Sequence, residues 1–152
     1  MSNLHSHQPR WTFRISRQRL WALYAAFTLL LLTGLTWLLV RFLAAEPETL
    51  APWQAWSMKL HGAAALIVMF LLGMIWSAHI RHAWIRRHNR LAGGLFGAVI
   101  VLLVASGYGL YYFNGEGLRS LTEWLHWLCG VAIGGLFWVH LAAGRRSVAG
   151  RK

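Results

Sequence analysis

Four long apolar stretches occupy most of this 152-residue chain and constrain its fold more than any other feature. A helix of about 20 residues crosses the hydrocarbon core of a bilayer, and each stretch reaches that length. Of all residues, 57% are hydrophobic and 12% are charged, a balance typical of membrane proteins. We therefore predict an all-α membrane protein, a bundle of four transmembrane helices. The predicted spans are residues 20–43, 60–80, 91–113 and 123–143, and basic tails occupy residues 1–19 and 144–152.

Basic and acidic residues are divided unevenly between the two sides of the predicted bundle. The net charge is +11, and most Lys and Arg residues lie in the tails and in the connection between the second and third spans. The opposite side holds only three basic residues, Arg41, Lys59 and Arg119, together with all the acidic residues. Cytoplasmic loops carry an excess of Lys and Arg, so both termini are predicted to be cytoplasmic. This rule explains the charge without nucleic acid, and membrane lipid is the predicted partner of the surface.

The spans leave too little chain for a second folded unit. A nucleotide- or flavin-binding domain needs on the order of 100 residues, which no remaining segment supplies. Cys129 is the only cysteine, so neither an intramolecular disulfide nor covalent attachment of haem through a pair of cysteines is expected. The sequence also shows no nucleophile–base pair and no carboxylate pair, so these residues do not predict stand-alone catalysis.

Two pairs of histidines lie within the second and fourth spans. His61 and His79 belong to the second span, and His126 and His140 belong to the fourth. Histidine inside a membrane-spanning helix usually marks a relay, a ligand or a cofactor site, and its neutral imidazole is the commonest metal ligand. Both spans run from outside to inside, so His61 is predicted to meet His126 near the periplasmic surface. His79 is predicted to meet His140 near the cytoplasmic surface.

The spacing within each pair keeps its two histidines on one face of a helix. The 14 residues from His126 to His140 leave the side chains about 40° and about 21 Å apart. The 18 residues from His61 to His79 return to the same angle with a rise of about 27 Å, a mismatch of about 6 Å. The faces between the histidines are apolar and partly small, which suits a porphyrin: Ala65, Val68, Leu72, Ile75, Gly130, Ile133 and Phe137. Basic residues that could meet propionates are Lys59 and Arg119 outside, and Arg81 and Arg145 inside.

A weak internal repeat accompanies the histidines. The first span contains Thr33-Gly34 and the third contains Ser106-Gly107, and each is followed by a span with two histidines. This pattern indicates a duplicated two-helix unit, and repeats in membrane proteins often place a site at the interface between the halves. The alternative interpretation is that both steps are ordinary small-residue packing contacts between helices.

From these patterns we predict that His61, His79, His126 and His140 are axial ligands of haem iron, with one or two haem b groups per chain. The chain resembles the small bacterial b-type membrane cytochromes of the di-haem cytochrome b superfamily. The resemblance covers roughly residues 20–145. It rests on Lys59-Leu60-His61-Gly62, Ser77-Ala78-His79, Leu125-His126, Val139-His140 and Gly130 four residues after His126.

The resemblance implies two bis-histidine haems and electron transfer across or within a bacterial inner membrane, between a quinone or redox partner and an acceptor. It also makes the chain a candidate membrane haem subunit of a quinone oxidoreductase. Two features depart from the family: the 18-residue spacing from His61 to His79, and a first span without histidine.

Two other function classes are weighed against the cytochrome interpretation. A histidine-lined metal or proton transporter usually places acids or broken helices at mid-membrane, and no Asp or Glu lies deep inside any span here. A structural or assembly subunit of a membrane complex would carry its histidines incidentally. Bands of b-type haem that depend on His126 and His140 are predicted only by the cytochrome interpretation.

Overall fold

All the regular structure in the described part of the chain is helical. The computed structural model describes residues 15–43, 52–85, 87 and 90–149. The elements are α1 (Arg17–Leu43), α2 (Pro52–Ile75), a π-helical turn (Trp76–Arg81), α3 (His82–Ile85), α4 (Arg90–Tyr112) and α5 (Glu116–Ala149). Four helical stretches are long and apolar enough to cross a membrane, with α2, the π-helical turn and α3 forming one of them. The predicted all-α fold with four candidate membrane-spanning helices is confirmed.

Two of the helices extend well beyond the apolar spans predicted from the sequence. α2 begins at Pro52, before the predicted start at residue 60, and α5 runs from Glu116 to Ala149. Proline suits the first position of a helix because the missing N–H would have no intrahelical partner there. Hydropathy marks only the apolar part of a helix, so polar turns at either end escape it. Residues 1–14 and 150–152 of the predicted tails lie outside the described residues.

The helices pair into two hairpins in chain order. α1 packs along α2, and α4 packs along α5. The hairpins meet mainly through α1 and α5, while α2 and α5 make little close backbone contact along their described lengths. The helices that carry the histidine pairs therefore belong to different hairpins and face each other across the seam between them.

The packed interior is thin, and large apolar side chains cover the outside. Within the first hairpin, Leu23, Leu71 and Ile75 form a buried cluster. On the outer surface, Leu66, Phe70 and Trp138 are each about 70% exposed. Such a surface is expected where lipid, not water, is the solvent.

Candidate functional site: two histidine couples

The four histidines form two couples, one near each end of the bundle. We call His61 and His126 the first couple; their ring centroids lie 6.2 Å apart with an angle of 71° between the planes. We call His79 and His140 the second couple, with 6.0 Å and 80°. All four side chains are partly buried. The structure thus brings together the same partners that the sequence predicts to meet.

A π-helical turn carries His79 and takes up part of the longer spacing between His61 and His79. The turn spans Trp76–Arg81 and follows directly on α2. A π-helical turn closes hydrogen bonds from residue i to i+5, so it holds one residue more than an α-helical turn. It therefore takes up one of the four additional residues that separate His61 from His79, about 1.5 Å of rise. Single π-turns of this kind are frequent at functional sites.

Hydroxyl groups hold one ring nitrogen of each histidine in the first couple. The Nδ1 atom of His61 lies 2.9 Å from the Oγ1 atom of Thr33 in α1. The Nδ1 atom of His126 lies 2.9 Å from the Oγ atom of Ser106 in α4. Both hydroxyl residues are buried, with 8% of Thr33 and 4% of Ser106 exposed. Each hairpin therefore supplies both a histidine and the group that orients it.

The hydroxyl proton in each contact has another acceptor. Thr33 Oγ1 lies 2.7 Å from the carbonyl oxygen of Leu29 and 3.2 Å from that of Leu30. Ser106 Oγ shows the same two distances to the carbonyl oxygens of Leu102 and Leu103. A hydroxyl has one proton to donate, and a neutral imidazole has one N–H. We therefore assign the Nδ1–H groups as donors to the hydroxyls, which leaves the lone pair of each histidine on Nε2.

The glycine after each hydroxyl residue lets the imidazole approach its helix. A Cβ atom at Gly34 would lie 3.3 Å from Cε1 of His61, and one at Gly107 would lie 3.4 Å from Cε1 of His126. In the sequence both steps indicate a duplicated two-helix unit or packing contacts between helices, and neither interpretation makes them partners of the histidines. The sequence signal for this contact is a hydroxyl residue followed by glycine, at the same depth in the membrane as a histidine on the next helix.

The second couple has different surroundings. The Nδ1 atom of His140 is buried and has no hydrogen-bond partner in the structure. Phe96 of α4 stacks on the His140 ring with centroids 5.3 Å apart and an angle of 16°. Phe96 also contacts Phe27 and Phe137, so an aromatic cluster from three helices backs this imidazole. No hydroxyl orients the second couple among the hydrogen bonds of the described residues.

Several residues predicted to surround a porphyrin make other contacts. Leu72 and Ile75 belong to the cluster packed against Leu23 of α1. Among the predicted propionate partners, Lys59 Nζ lies 4.8 Å from the Trp56 ring centroid, and Arg119 donates a hydrogen bond to the carbonyl of Leu110 at 3.1 Å. Arg81 and Arg145 are exposed.

Each couple offers two imidazole nitrogens to a metal group. An imidazole nitrogen binds a transition metal at about 2 Å, so two imidazoles on opposite sides of one metal ion place their ring centroids about 6 Å apart. Over the described ranges, no three His, Cys, Asp or Glu side chains cluster in a way that could hold a metal ion. Ions bound by protein alone usually take three or four such ligands, whereas haem iron needs only axial ligands from the protein. Each couple supplies two imidazoles, the number that a bis-histidine haem takes from a protein.

Comparisons with protein-family models, with curated proteins and with solved structures found no match to this chain.

Proposed function

We propose that this protein is a b-type membrane cytochrome with a bis-histidine haem site at each couple, and that it carries electrons through the membrane. The observation that carries the proposal is the pair of facing couples, each with ring centroids about 6 Å apart. Haem iron, when bound, supplies one-electron chemistry by alternating between its ferric and ferrous states. The resemblance to di-haem membrane cytochromes supports the same proposal.

The residues of the chain perform three tasks in this proposal. His61 and His126 offer Nε2 lone pairs because their Nδ1–H groups are held by Thr33 and Ser106. His79 and His140 form the second site, where the aromatic cluster around Phe96 excludes water from one imidazole. Each site would form between the hairpins, since the two helices that carry its ligands pack mainly against other partners.

The direction of the chain in the membrane decides what the two sites can connect. We place both termini in the cytoplasm of a bacterial cell, with the protein in the inner membrane, because Lys and Arg are concentrated on that side. The first couple then lies near the periplasmic surface and the second near the cytoplasmic surface, about 20 Å apart along the helices. Two sites in opposite leaflets suit transfer between a quinone or redox partner and an acceptor, as in the membrane haem subunit of a quinone oxidoreductase.

Optical difference spectroscopy and haem quantification of the purified protein test this proposal. We expect two haem b groups per chain, and each of the variants His126→Ala and His140→Ala is expected to lose about half of the reduced-minus-oxidised signal, since each removes one of the two histidines that would hold one haem. His82→Ala is the control, because His82 lies beyond His79 and outside both couples.

A colourless protein from haem-replete cells would contradict the cytochrome proposal. In that case the couples would belong to a transporter or to a structural subunit. Equal loss of signal in His82→Ala and His140→Ala would contradict the assignment of the second site.

A further inference from the structure

The two halves of the chain repeat one hydrogen-bonding arrangement around the first couple. Each hydroxyl oxygen lies 2.7 Å from the carbonyl four residues earlier, 3.2 Å from the carbonyl three residues earlier, and 2.9 Å from a histidine Nδ1. The residue that follows is glycine in both halves, and a Cβ atom added there would lie 3.3 and 3.4 Å from Cε1 of the ring. Three matching distances in two separate hairpins indicate a shared task at the histidine.

We infer that Thr33 and Ser106 are positioning residues that hold His61 and His126 as Nδ1–H tautomers and tune the electron donation of these ligands. This inference rests on the proposed function. A metal-bound histidine commonly donates its other N–H to an acceptor, which sets the ring orientation and raises the basicity of the ligand. Here the acceptors are hydroxyl oxygens whose own protons are engaged by the backbone of α1 and α4.

The role of a metal ligand requires the same tautomer. The ring nitrogen that binds a metal must be free of its proton, and a neutral imidazole has only one N–H. The alternative tautomer would place the proton on Nε2, where it would block binding to a metal.

The second couple provides a comparison within the same molecule. His140 Nδ1 has no hydrogen-bond partner, and Phe96 covers its ring instead. The loss of either hydroxyl is therefore expected to change the redox equilibrium of the first site and to leave that of the second site unchanged. This selectivity separates tuning of one ligand pair from a general effect on the membrane bundle.

Backbone bonding alone does not account for the two hydroxyls. Thr36 donates to the carbonyl of Leu32 at 2.8 Å in the same way, one turn after Thr33, and among the hydrogen bonds of the described residues it contacts no histidine. Thr36→Val is thus a matched control for Thr33→Val. It removes the same group from the same helix, and the imidazoles keep their partners.

The experiment is a redox titration of the full-length haem-containing protein, with Thr33→Val, Ser106→Ala and the control Thr36→Val. When the Nδ1–H group has no hydrogen-bond acceptor, the imidazole donates less electron density to the iron, which favours the ferrous state. We expect the redox equilibrium of one haem to shift about tenfold toward the ferrous form, a rise of about 59 mV for a one-electron couple. Thr33→Ser and Ser106→Thr keep a hydroxyl and are expected to restore the original value.

Nitrogen-15 NMR of the histidine side chains gives a second measurement that does not need haem. Protons on Nδ1 of His61 and His126 in the full-length chain without haem support the inference, since iron bound at Nε2 would by itself leave the only ring proton on Nδ1. If the chain carries no haem, the proposed function fails and the tautomers still decide the inference. Protons on Nε2, or equal potentials in Thr33→Val and Thr36→Val, would overturn it.

Discussion

A hydroxyl group whose own proton is engaged by the backbone favours one tautomer of the imidazole beside it. In the first couple Thr33 and Ser106 lie beside the Nδ1 atoms of the two histidines, and in the second couple the ring of His140 is covered by Phe96 instead. The positions of the four histidines and the two hydroxyl–glycine steps are visible in the sequence. The contact between them is not, because it depends on how far each helix is rotated about its own axis.

Substitution of either glycine at these steps is expected to move the histidine side chain beside it. Gly34→Ala is expected to push Cε1 of His61 away by a few tenths of an ångström and to weaken the hydrogen bond to Thr33, since the added Cβ lies 3.3 Å from that atom. Loss of such a supporting contact typically lowers metal affinity by about 10–100-fold. Competition of the purified protein with a haem-binding apoprotein measures this loss, and Gly107→Ala is expected to act in the same way on His126.

The matched controls are Gly73→Ala in α2 and Gly97→Ala in α4, where an added Cβ meets nothing within 4 Å. Both controls are expected to retain haem fully and to stabilise their helices by up to about 1 kcal/mol, because alanine has the higher helix propensity. Equal haem loss in Gly97→Ala and Gly107→Ala would show that the glycines matter only for the helix.

Among the elements, the helices were predictable from hydropathy and the π-helical turn was not. The four apolar stretches predict four long helices, and their polar ends at Pro52 and Glu116 add turns that hydropathy does not register. The segment Trp76–Arg81 contains neither proline nor glycine, so nothing in its composition marks a change of helix type. The sequence shows only the mismatch between the 18-residue and 14-residue spacings, which the turn partly takes up.

The π-helical turn predicts an asymmetry between shortening and lengthening α2. Deletion of Ser77 removes the additional residue, so the turn is expected to become α-helical and His79 to keep facing His140. Insertion of one alanine after Ser77 adds a residue that the turn has no room for, and His79 is expected to rotate by about 100°. Haem quantification is therefore expected to give two haems for the deletion and one for the insertion.

The substitution Ser77→Ala keeps the chain length and serves as the control, with two haems expected. Retention of both haems after the insertion, together with loss of one after the deletion, would contradict this account of the turn.

For the whole molecule, the two hairpins place the helix connections and the helix ends at two opposite ends of the bundle. Gly115 lies in the connection between α4 and α5, and Arg145 lies near the end of α5, so they mark opposite ends of the bundle. Both residues are exposed, and an added Cβ at Gly115 meets nothing within 4 Å. The charge distribution predicts the side on which each end lies, because Lys and Arg concentrate on cytoplasmic segments.

Cysteine labelling measures this orientation. The only natural cysteine is Cys129, so Cys129→Ala gives a background without thiols. In that background, Gly115→Cys is expected to react with a membrane-impermeant maleimide in intact cells whose outer membrane has been made permeable. Arg145→Cys is expected to react only after the inner membrane is opened as well. The reverse pattern would place both termini in the periplasm.

The division into hairpins has a consequence for how such a chain matures. Neither hairpin contains a complete couple, so under the proposed function each haem binds both hairpins and links them. A newly made chain that has not yet received its pigment would expose polar imidazoles to lipid, where unsatisfied polar groups are costly. The cellular abundance of this protein would then follow the supply of porphyrin, because quality-control proteases would degrade chains whose hairpins are not linked by haem.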